Sequence, residues 1–308
     1  MIVGAVDIGT NSVRLIIAEK KEDHWRDLIR TVEVTRLGEG VDKTHIIKPE
    51  AMKRTIAVLT NYKELMEKYH VEKSKVVSTS AMRDAENAFD FKGLVKERLG
   101  LDIEVISGEE EGRLTFTGVT GQGTLVPKGE VVLVVDVGGG STEYIYGRDN
   151  EAYGATSLNI GSVRLTEHFL KHDPPTAAEL WSARQTIKEA AEPVFKKVAD
   201  ANPSAIVAVA GTATQLSAVY YGVEPYDPEK IHGSKLTLPE LRSLIKKLAS
   251  MPTEERKKLK GMHPKRADVI IGGALILEGT LDELCFDEMI ISEKDILDGL
   301  IYSIPPLP

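Results

Sequence analysis

Two glycine-containing segments with the same order of residue types lie far apart in the chain. Residues 7–12 read DIGTNS and residues 136–141 read DVGGGS, and each follows an apolar run. Glycine lets the backbone approach a ligand closely, and successive backbone N–H groups in such a turn form a concave anion site. The repeat therefore predicts two related strand–turn–strand units that hold a phosphate chain from both sides.

A third segment extends this pattern, because a glycine and a threonine follow another apolar run at residues 205–210. Hydroxyl groups in all three segments add hydrogen-bond donors. One such segment alone is also compatible with an ordinary glycine turn, so the prediction depends on the repeat. The predicted phosphate ligands are Gly9, Thr10, Asn11, Ser12, Gly138, Gly139, Gly140, Ser141, Thr142, Gly211 and Thr212.

The acidic residues of the repeat suit a metal ion. Carboxylates do not bind phosphate directly, but they bind Mg²⁺ or Mn²⁺, which in turn binds phosphate. Glu143 and Arg14 each lie seven residues after the aspartate of their segment, so an acid accompanies Asp136 and a base accompanies Asp7. The predicted metal ligands are Asp136 and Glu143, with Asp7 as a third. The alternative is that Glu143 and Arg14 point into solvent from their strands.

Hydrophobic periodicity predicts the elements that position these segments. Strands are predicted at 2–6, 13–18, 28–35, 76–77, 103–106, 131–135 and 205–210. Apolar residues at spacings of three and four predict a helix from Pro49, and capping residues predict helices after Ser107, Thr176 and Thr237. Pro193 is expected to kink or split the helix after Thr176. The predicted class is α/β.

Length and composition predict the number of domains and exclude several functional classes. The 308 residues suggest two domains, predicted at 1–124 and 125–308 with a glycine-rich junction, and a C-terminal helix at about 295–308 could pack back on the first. The net charge of −8 argues against a nucleic-acid partner. Cys285 is the only cysteine, which fits the cytoplasm, and no apolar run approaches the about 20 residues of a membrane span. A homodimer is left open.

The two repeat segments resemble the phosphate motifs of the exopolyphosphatase / guanosine pentaphosphate phosphohydrolase family, and GGGSTE at 138–143 is the specific part. Residues 107–113, 80–87 and 266–268 are similar to three further family segments. The resemblance implies two duplicated actin-like ATPase (ribonuclease H-like) domains with a cleft between them. It also implies Glu111 as the catalytic residue that activates water, Arg83 and Arg266 as phosphate ligands, and hydrolysis of a phosphate anhydride.

Several alternatives accompany this interpretation. Glu111 also fits a carboxylate that stabilises the helix dipole, Arg113 and Arg164 fit surface charges, and His168 with His172 lacks a third metal ligand. Residues 292–299 depart from the family pattern, and the C-terminal domains of longer members do not follow residue 308. We therefore expect inorganic polyphosphate to be preferred over guanosine pentaphosphate. The rival functions are a guanosine pentaphosphate 5′-phosphohydrolase, an ATP-dependent small-molecule kinase, and a noncatalytic nucleotide sensor or filament protein.

Overall fold

The computed structural model describes residues 1–22, 24–122 and 125–305. Its first sheet has the strand order β3-β2-β1-β4-β5, in which β1 to β3 are antiparallel neighbours and β4 and β5 run parallel to β1. The strands are β1 (Ile2–Ile8), β2 (Ser12–Lys20), β3 (Trp25–Val34), β4 (Lys73–Ser78) and β5 (Ile103–Val105). The helices of this half are α1 (Val41–Thr44), α2 (Pro49–Lys68), α3 (Ser80–Asp84), α4 (Ala88–Leu99) and α5 (Gly108–Thr120).

The second sheet has the order β10-β11-β9-β6-β7-β8. Its strands are β6 (Val131–Val137), β7 (Thr142–Arg148), β8 (Glu151–Leu158), β9 (Ala205–Val209), β10 (Lys235–Thr237) and β11 (Glu288–Ile291). The helices of the C-terminal half are α6 (Ser162–Phe169), α7 (Ala177–Ala201), α8 (Ala210–Tyr221), α9 (Pro228–Ile231), α10 (Leu238–Ala249), α11 (Thr253–Arg256), α12 (Ile270–Glu283) and α13 (Ile296–Ser303), with a 3-10 turn at Pro264–Arg266. Apart from β10, the order and strand directions repeat those of the first sheet. The α/β class and the duplication of the fold are confirmed.

The predicted elements form for the expected reasons. The apolar stripe of α2 is buried through Ile56, Leu59, Tyr62 and Met66, which pack on the first sheet. The side chain of Thr176 caps α7 in the predicted capping box, and Thr237 caps α10 in the same way. Of the helices in the described ranges, none combines the length and hydropathy that a bilayer crossing requires.

Two local predictions need correction. The predicted strand 205–210 ends at Val209, and α8 begins at Ala210, so Gly211 and Thr212 lie in the first turn of a helix rather than in a turn between strands. Pro193 was predicted to kink or split α7, and a split does not occur, because the helix continues to Ala201. Pro193 lies on the exposed side of α7, where water can solvate the carbonyl group that its missing N–H leaves unpaired.

Each half of the chain contributes one helix that packs on the sheet of the other half. The N-terminal half contributes α5, which packs through Phe116 and Val119 on the second sheet. The C-terminal helix α13 packs through Leu300 and other apolar residues on the first sheet. The two helices cross at Gly118 and Gly299, where a Cβ atom on Gly118 would lie 1.9 Å from the carbonyl oxygen of Asp295. The predicted domain boundary at residue 124 lies outside the described residues.

Candidate active site

The two glycine turns face each other. In each turn the glycine N–H donates to the serine carbonyl, from Gly9 to Ser12 at 2.9 Å and from Gly138 to Ser141 at 3.0 Å. A Cβ atom on Gly139 would lie 3.0 Å from Cβ of Thr10, so the second turn can approach the first only because it lacks a side chain there. The repeat therefore forms two backbone N–H turns that pack against each other, and both line one cleft.

This cleft has a volume of about 510 Å³ and lies at the carboxyl ends of the parallel strands of both sheets. Ligands of open α/β sheets bind at such strand ends. The predicted site residues that line the cleft are Asp7, Gly9, Thr10, Asn11, Ser12, Glu111, Asp136, Gly138, Gly139, Gly140, Ser141, Gly211, Thr212 and Arg266. Three others, Arg83, Thr142 and Glu143, lie behind its surface. The hydroxyl of Thr142 is fully buried and donates to the carbonyl oxygen of Ile160 at 2.6 Å.

The first turn of α8 forms part of the same cleft. Ala210 has a φ of 63°, in the left-handed region that residues other than glycine adopt at a cost. The following N–H groups belong to a helix N-terminus, which is an anion-binding position. The hydroxyl of Thr212 is bonded to the carbonyl oxygen of Val137 at 3.2 Å, so it ties α8 to β6. We interpret Gly211 and Thr212 as a helix N-terminus at the cleft.

The acidic residues of the repeat occupy matching positions in the two hairpins. Asp136 lies opposite Glu143 in the antiparallel register, and Asp7 lies opposite Arg14. Residues opposite each other in such a register share one face of the sheet. Glu143 is fully buried and accepts a hydrogen bond from Ser157 at 2.7 Å. The alternative of a solvated Glu143 is wrong, and Arg14 is bound to Asp7 at 2.7 Å rather than to water.

Burial raises the pKa of each of these acids. Desolvation and then repulsion from Glu143 raise the pKa of Asp136 to about 8. Desolvation also raises the pKa of Glu143, and that of Asp7 in spite of the nearby Arg14 guanidinium. Among the described residues, neither Asp136 nor Glu143 has an ion-pair partner, so each of these two carboxylates lacks a compensating charge. A cation at this position would supply that charge.

Two unpaired oxygen atoms test whether a metal ion fits. Oδ1 of Asp7 and Oε2 of Glu143 are buried without a hydrogen-bond partner, and such atoms are costly unless something binds them. Among the described residues, no three Asp, Glu, His or Cys side chains converge into a complete metal cluster. Mg²⁺ does not need one, since it binds through one or two carboxylates and keeps waters and substrate phosphates as its other ligands. The donor set fits that kind of site.

Glu111 differs from the two glutamates that precede it. Glu109 and Glu110 are exposed, whereas Glu111 is 8% exposed and lines the cleft. Nη1 of Arg83 donates to Oε2 of Glu111 at 2.7 Å and to the carbonyl oxygen of Ile106 at 3.1 Å. Desolvation, followed by repulsion from the neighbouring acids, raises the pKa of Glu111 well above its ordinary value. A buried carboxylate of this kind can accept a proton at neutral pH.

Glycines set the position of Glu111. Ser107 caps α5 by accepting a hydrogen bond from the N–H of Glu110 at 3.1 Å, which starts the helix as predicted. Cβ atoms on Gly108 and Gly112 would lie 2.3 Å from Cβ of Ser157 and 2.9 Å from Cγ1 of Ile145. These glycines are four residues apart, so they share a helix face. They let α5 lie directly on β7 and β8, which brings Glu111 to the acids of the second hairpin.

The candidate cations fall into two groups. The guanidinium of Arg266 packs against Gly211 and makes no hydrogen bond or ion pair with the described residues. Desolvation and then repulsion from Arg14 lower its pKa, in spite of attraction from Tyr226 and Glu293. Arg164 instead pairs with Asp42 and Asp84, away from the cleft.

The remaining sequence candidates lie outside the cleft. Arg113 is exposed on α5, and His168 pairs with Asp42 rather than with a metal-binding partner. Sequence reasoning did not select Arg30 or Asp295, although both line the cleft. Asp295 lies in the segment that departs from the family pattern, so that departure was the available signal.

Comparison with known proteins agrees with this geometry. The Ppx/GppA phosphatase family model matches residues 16–307. Exopolyphosphatase 2 of Mycobacterium tuberculosis is 40% identical over 315 residues, covering 98% of each chain. The Aquifex aeolicus Ppx/GppA structure aligns with a TM-score of 0.83 at 38% identity, over 98% of this chain and 97% of that one. A Cytophaga hutchinsonii exopolyphosphatase structure gives 0.91 at 28% identity, over 98% and 97%. The predicted actin-like fold is confirmed, and the chain belongs to the Ppx/GppA phosphatase family.

Proposed function

We propose that this protein is an exopolyphosphatase, which releases terminal orthophosphate from inorganic polyphosphate. One observation carries the proposal: two adjacent backbone N–H turns line a cleft that the buried Glu111 also lines. Such a site holds a chain of phosphates and presents one proton acceptor beside it. The name of the M. tuberculosis relative supports the same activity.

Different residues of the chain bind the substrate and accept the proton. The turn N–H groups around Gly9 and Gly139 and the free guanidinium of Arg266 bind the terminal phosphates. Glu111 accepts a proton from the attacking water while Arg83 fixes its orientation. The water oxygen forms a bond to the terminal phosphorus while the bridging P–O bond to the rest of the chain breaks, which yields orthophosphate and a shortened chain. Catalysis of this kind depends on positioning and on electrostatic stabilisation.

Mg²⁺ or Mn²⁺ would be held by Asp136 and Glu143, with Asp7 as a further ligand. When bound, the cation would neutralise phosphate oxygens and the buried acids together. The unpaired oxygens of Asp7 and Glu143 support this assignment. Without a cation, Asp7 and Asp136 would face a polyanion, with Glu143 buried behind them.

The decisive experiment measures orthophosphate release from polyphosphate and from guanosine pentaphosphate, each with Mg²⁺ and with a chelator. We expect release from polyphosphate only with the metal, and a lower specificity constant for the nucleotide. A higher specificity constant for guanosine pentaphosphate would favour the nucleotide phosphohydrolase instead. Full activity in chelator would remove the metal from the mechanism.

We further propose a cytoplasmic enzyme without a nucleic-acid or membrane partner. The exposed free thiol of Cys285 supports a reducing compartment, and the net charge of −8 opposes binding to nucleic acid. Homodimer formation is a separate proposal, which sedimentation of the purified protein tests.

A further inference from the structure

A row of three side chains crosses the second sheet next to the cleft. Asp136 on β6 lies opposite Glu143 on β7, and Glu143 lies opposite Ser157 on β8. Residues that are directly opposite in neighbouring strands share one face of the sheet. The hydroxyl of Ser157 donates to Oε1 of Glu143 at 2.7 Å. The proposed reaction assigns Asp136 and Glu143 to the metal ion, whereas Ser157 has no role in it.

The first sheet carries a different kind of residue at the position that matches Ser157. There Asp7 lies opposite Arg14, and Arg14 lies opposite Val32 on β3. Arg14 is bound to the carboxylates of Asp7 and Asp295, so it needs no partner from β3. A glutamate at the same place is an acceptor and needs a donor. The repeat therefore has a hydroxyl group on its third strand only where the second strand carries a carboxylate.

Helix α5 lies on the face of the sheet that carries this row. A Cβ atom on Gly108 would lie 2.3 Å from Cβ and 2.5 Å from Oγ of Ser157, so the helix backbone packs directly on this side chain. The same helix carries Glu111, and one turn later the hydroxyl of Thr115 donates to Oδ2 of Asp136 at 3.4 Å. Ser157 is therefore enclosed between the sheet and the first turn of the helix that carries the proton acceptor.

The bond from Ser157 leaves one oxygen atom of Glu143 for a cation. Glu143 is fully buried, and its Oε2 has no hydrogen-bond partner, while its Oε1 is bound to Ser157. A glutamate side chain has several rotatable bonds, so a carboxylate ligand binds a metal ion tightly only when it is held in one orientation. Hydrogen bonds from neighbouring groups hold the ligands of metal sites in this way, and their loss typically costs about 10–100-fold in metal affinity or activity.

We propose that Ser157 is a positioning residue, which holds the carboxylate of Glu143 in the orientation that binds the metal ion. This inference rests on the proposed function, because it concerns a metal ligand of the same site. A hydroxyl group that only satisfied a buried acid would behave differently. Its removal would lower the stability of the protein and leave the metal affinity unchanged.

Replacing Ser157 by alanine removes the hydroxyl group and leaves the rest of the side chain. Thr156→Val is the matched control, because Thr156 is the preceding residue of β8 and its side chain lies on the other face of the sheet. The hydroxyl of Thr156 makes no hydrogen bond with the described residues. Thermal unfolding of both variants checks that they fold.

The first readout is the dissociation constant for Mn²⁺, measured without substrate from the free-ion signal in electron paramagnetic resonance. We expect Ser157→Ala to raise this constant about 10–100-fold, and Thr156→Val to keep the wild-type value. The second readout is phosphate release from tripolyphosphate at increasing Mn²⁺. In Ser157→Ala the Mn²⁺ concentration for half-maximal release should rise by the same factor, while kcat at saturating Mn²⁺ stays near the wild-type value. A wild-type dissociation constant in Ser157→Ala, or equal changes in both variants, would overturn the proposal.

The remaining outcomes separate this proposal from the proposed function. If Ser157→Ala does not fold, Ser157→Cys keeps a weak donor of similar size and should raise the dissociation constant by a smaller factor; no rise there also counts against the proposal. A wild-type protein that binds Mn²⁺ but releases no phosphate from polyphosphate refutes the proposed function, and the comparison of Mn²⁺ affinities still decides the role of Ser157. A wild-type protein that binds no Mn²⁺ refutes the role of Ser157, even if it releases phosphate.

Discussion

Replacement of Glu111 by glutamine removes the proposed proton acceptor and keeps its shape. General-base catalysis typically supplies about 10²–10⁴ in rate. We therefore expect kcat to fall by that factor, which is about 3–5 kcal/mol at about 1.36 kcal/mol per decade. KM should barely change, because the turns and Arg266 bind the substrate and Glu111 does not.

The structure also fixes the expected effect on stability. The pKa of Glu111 is raised by burial and then by Glu143, so folding makes the charged form of this side chain less favourable than it is in the unfolded chain. A neutral glutamine keeps an acceptor for Arg83, which donates to Oε2 at 2.7 Å, and it relieves the repulsion from Glu143. The free energy of unfolding should stay within about 1 kcal/mol of wild type, or rise.

The assay is steady-state phosphate release with Mg²⁺, together with urea unfolding. Glu109→Gln and Glu110→Gln are the controls, because both side chains are exposed on the same helical turn. A raised pKa also means that wild-type kcat increases with pH as Glu111 loses its proton, and Glu111→Gln should lose that dependence. The reasoning fails if Glu111→Gln keeps its turnover, or if it loses metal binding or stability instead.

Three further predictions concern the metal and two glycines. Mg²⁺ should bind more tightly as pH rises towards 8, because Asp136, with its pKa raised to about 8, must first release a proton; a pH-independent affinity in calorimetry contradicts this. In Gly211→Ala the new Cβ would lie 1.4 Å from Nη1 of Arg266, so KM should rise about tenfold as a charged hydrogen bond is lost; an unchanged KM contradicts it. Gly118→Ala should cost about 1–3 kcal/mol in urea unfolding, since its Cβ meets the backbone of Asp295, and wild-type stability would refute the tight crossing.

Local sequence patterns predicted the parts of the fold that depend on neighbouring residues. The repeat around Asp7 and Asp136 predicted two equivalent hairpins, and the register confirms that Arg14 and Glu143 are equivalent positions. The alternation of apolar residues in strands and the capping residues of helices can be recognised in short stretches of sequence. The resemblance added Glu111, which the three consecutive glutamates could not single out by themselves. Burial distinguishes it, and burial depends on the sheet beneath α5.

Contacts between side chains far apart in the chain could not be predicted from the sequence. Asp295 binds Arg14 across an interval of 281 residues, and no periodicity or motif encodes such a contact. The helix start at Ala210 was missed for a different reason, because an apolar run that passes into a small-residue turn reads as a longer strand. The helix can continue through Pro193 because water can solvate the carbonyl group left unpaired there. Whether that side of the helix is exposed depends on the tertiary fold.

The exchange of α5 and α13 explains why residues from both ends of the chain act at one site. Glu111 precedes the second sheet in sequence, yet α5 is packed on that sheet, so Glu111 is held in the same body as Asp136 and Glu143. Asp295 follows the second sheet, yet α13 is packed on the first, so it is held beside Arg14. A change in the angle between the sheets would therefore preserve the distances from Glu111 to Asp136 and Glu143, whereas Asp7, on β1, would move with the first sheet. It would also alter the distance between the two phosphate-binding turns, and with it the binding of the substrate.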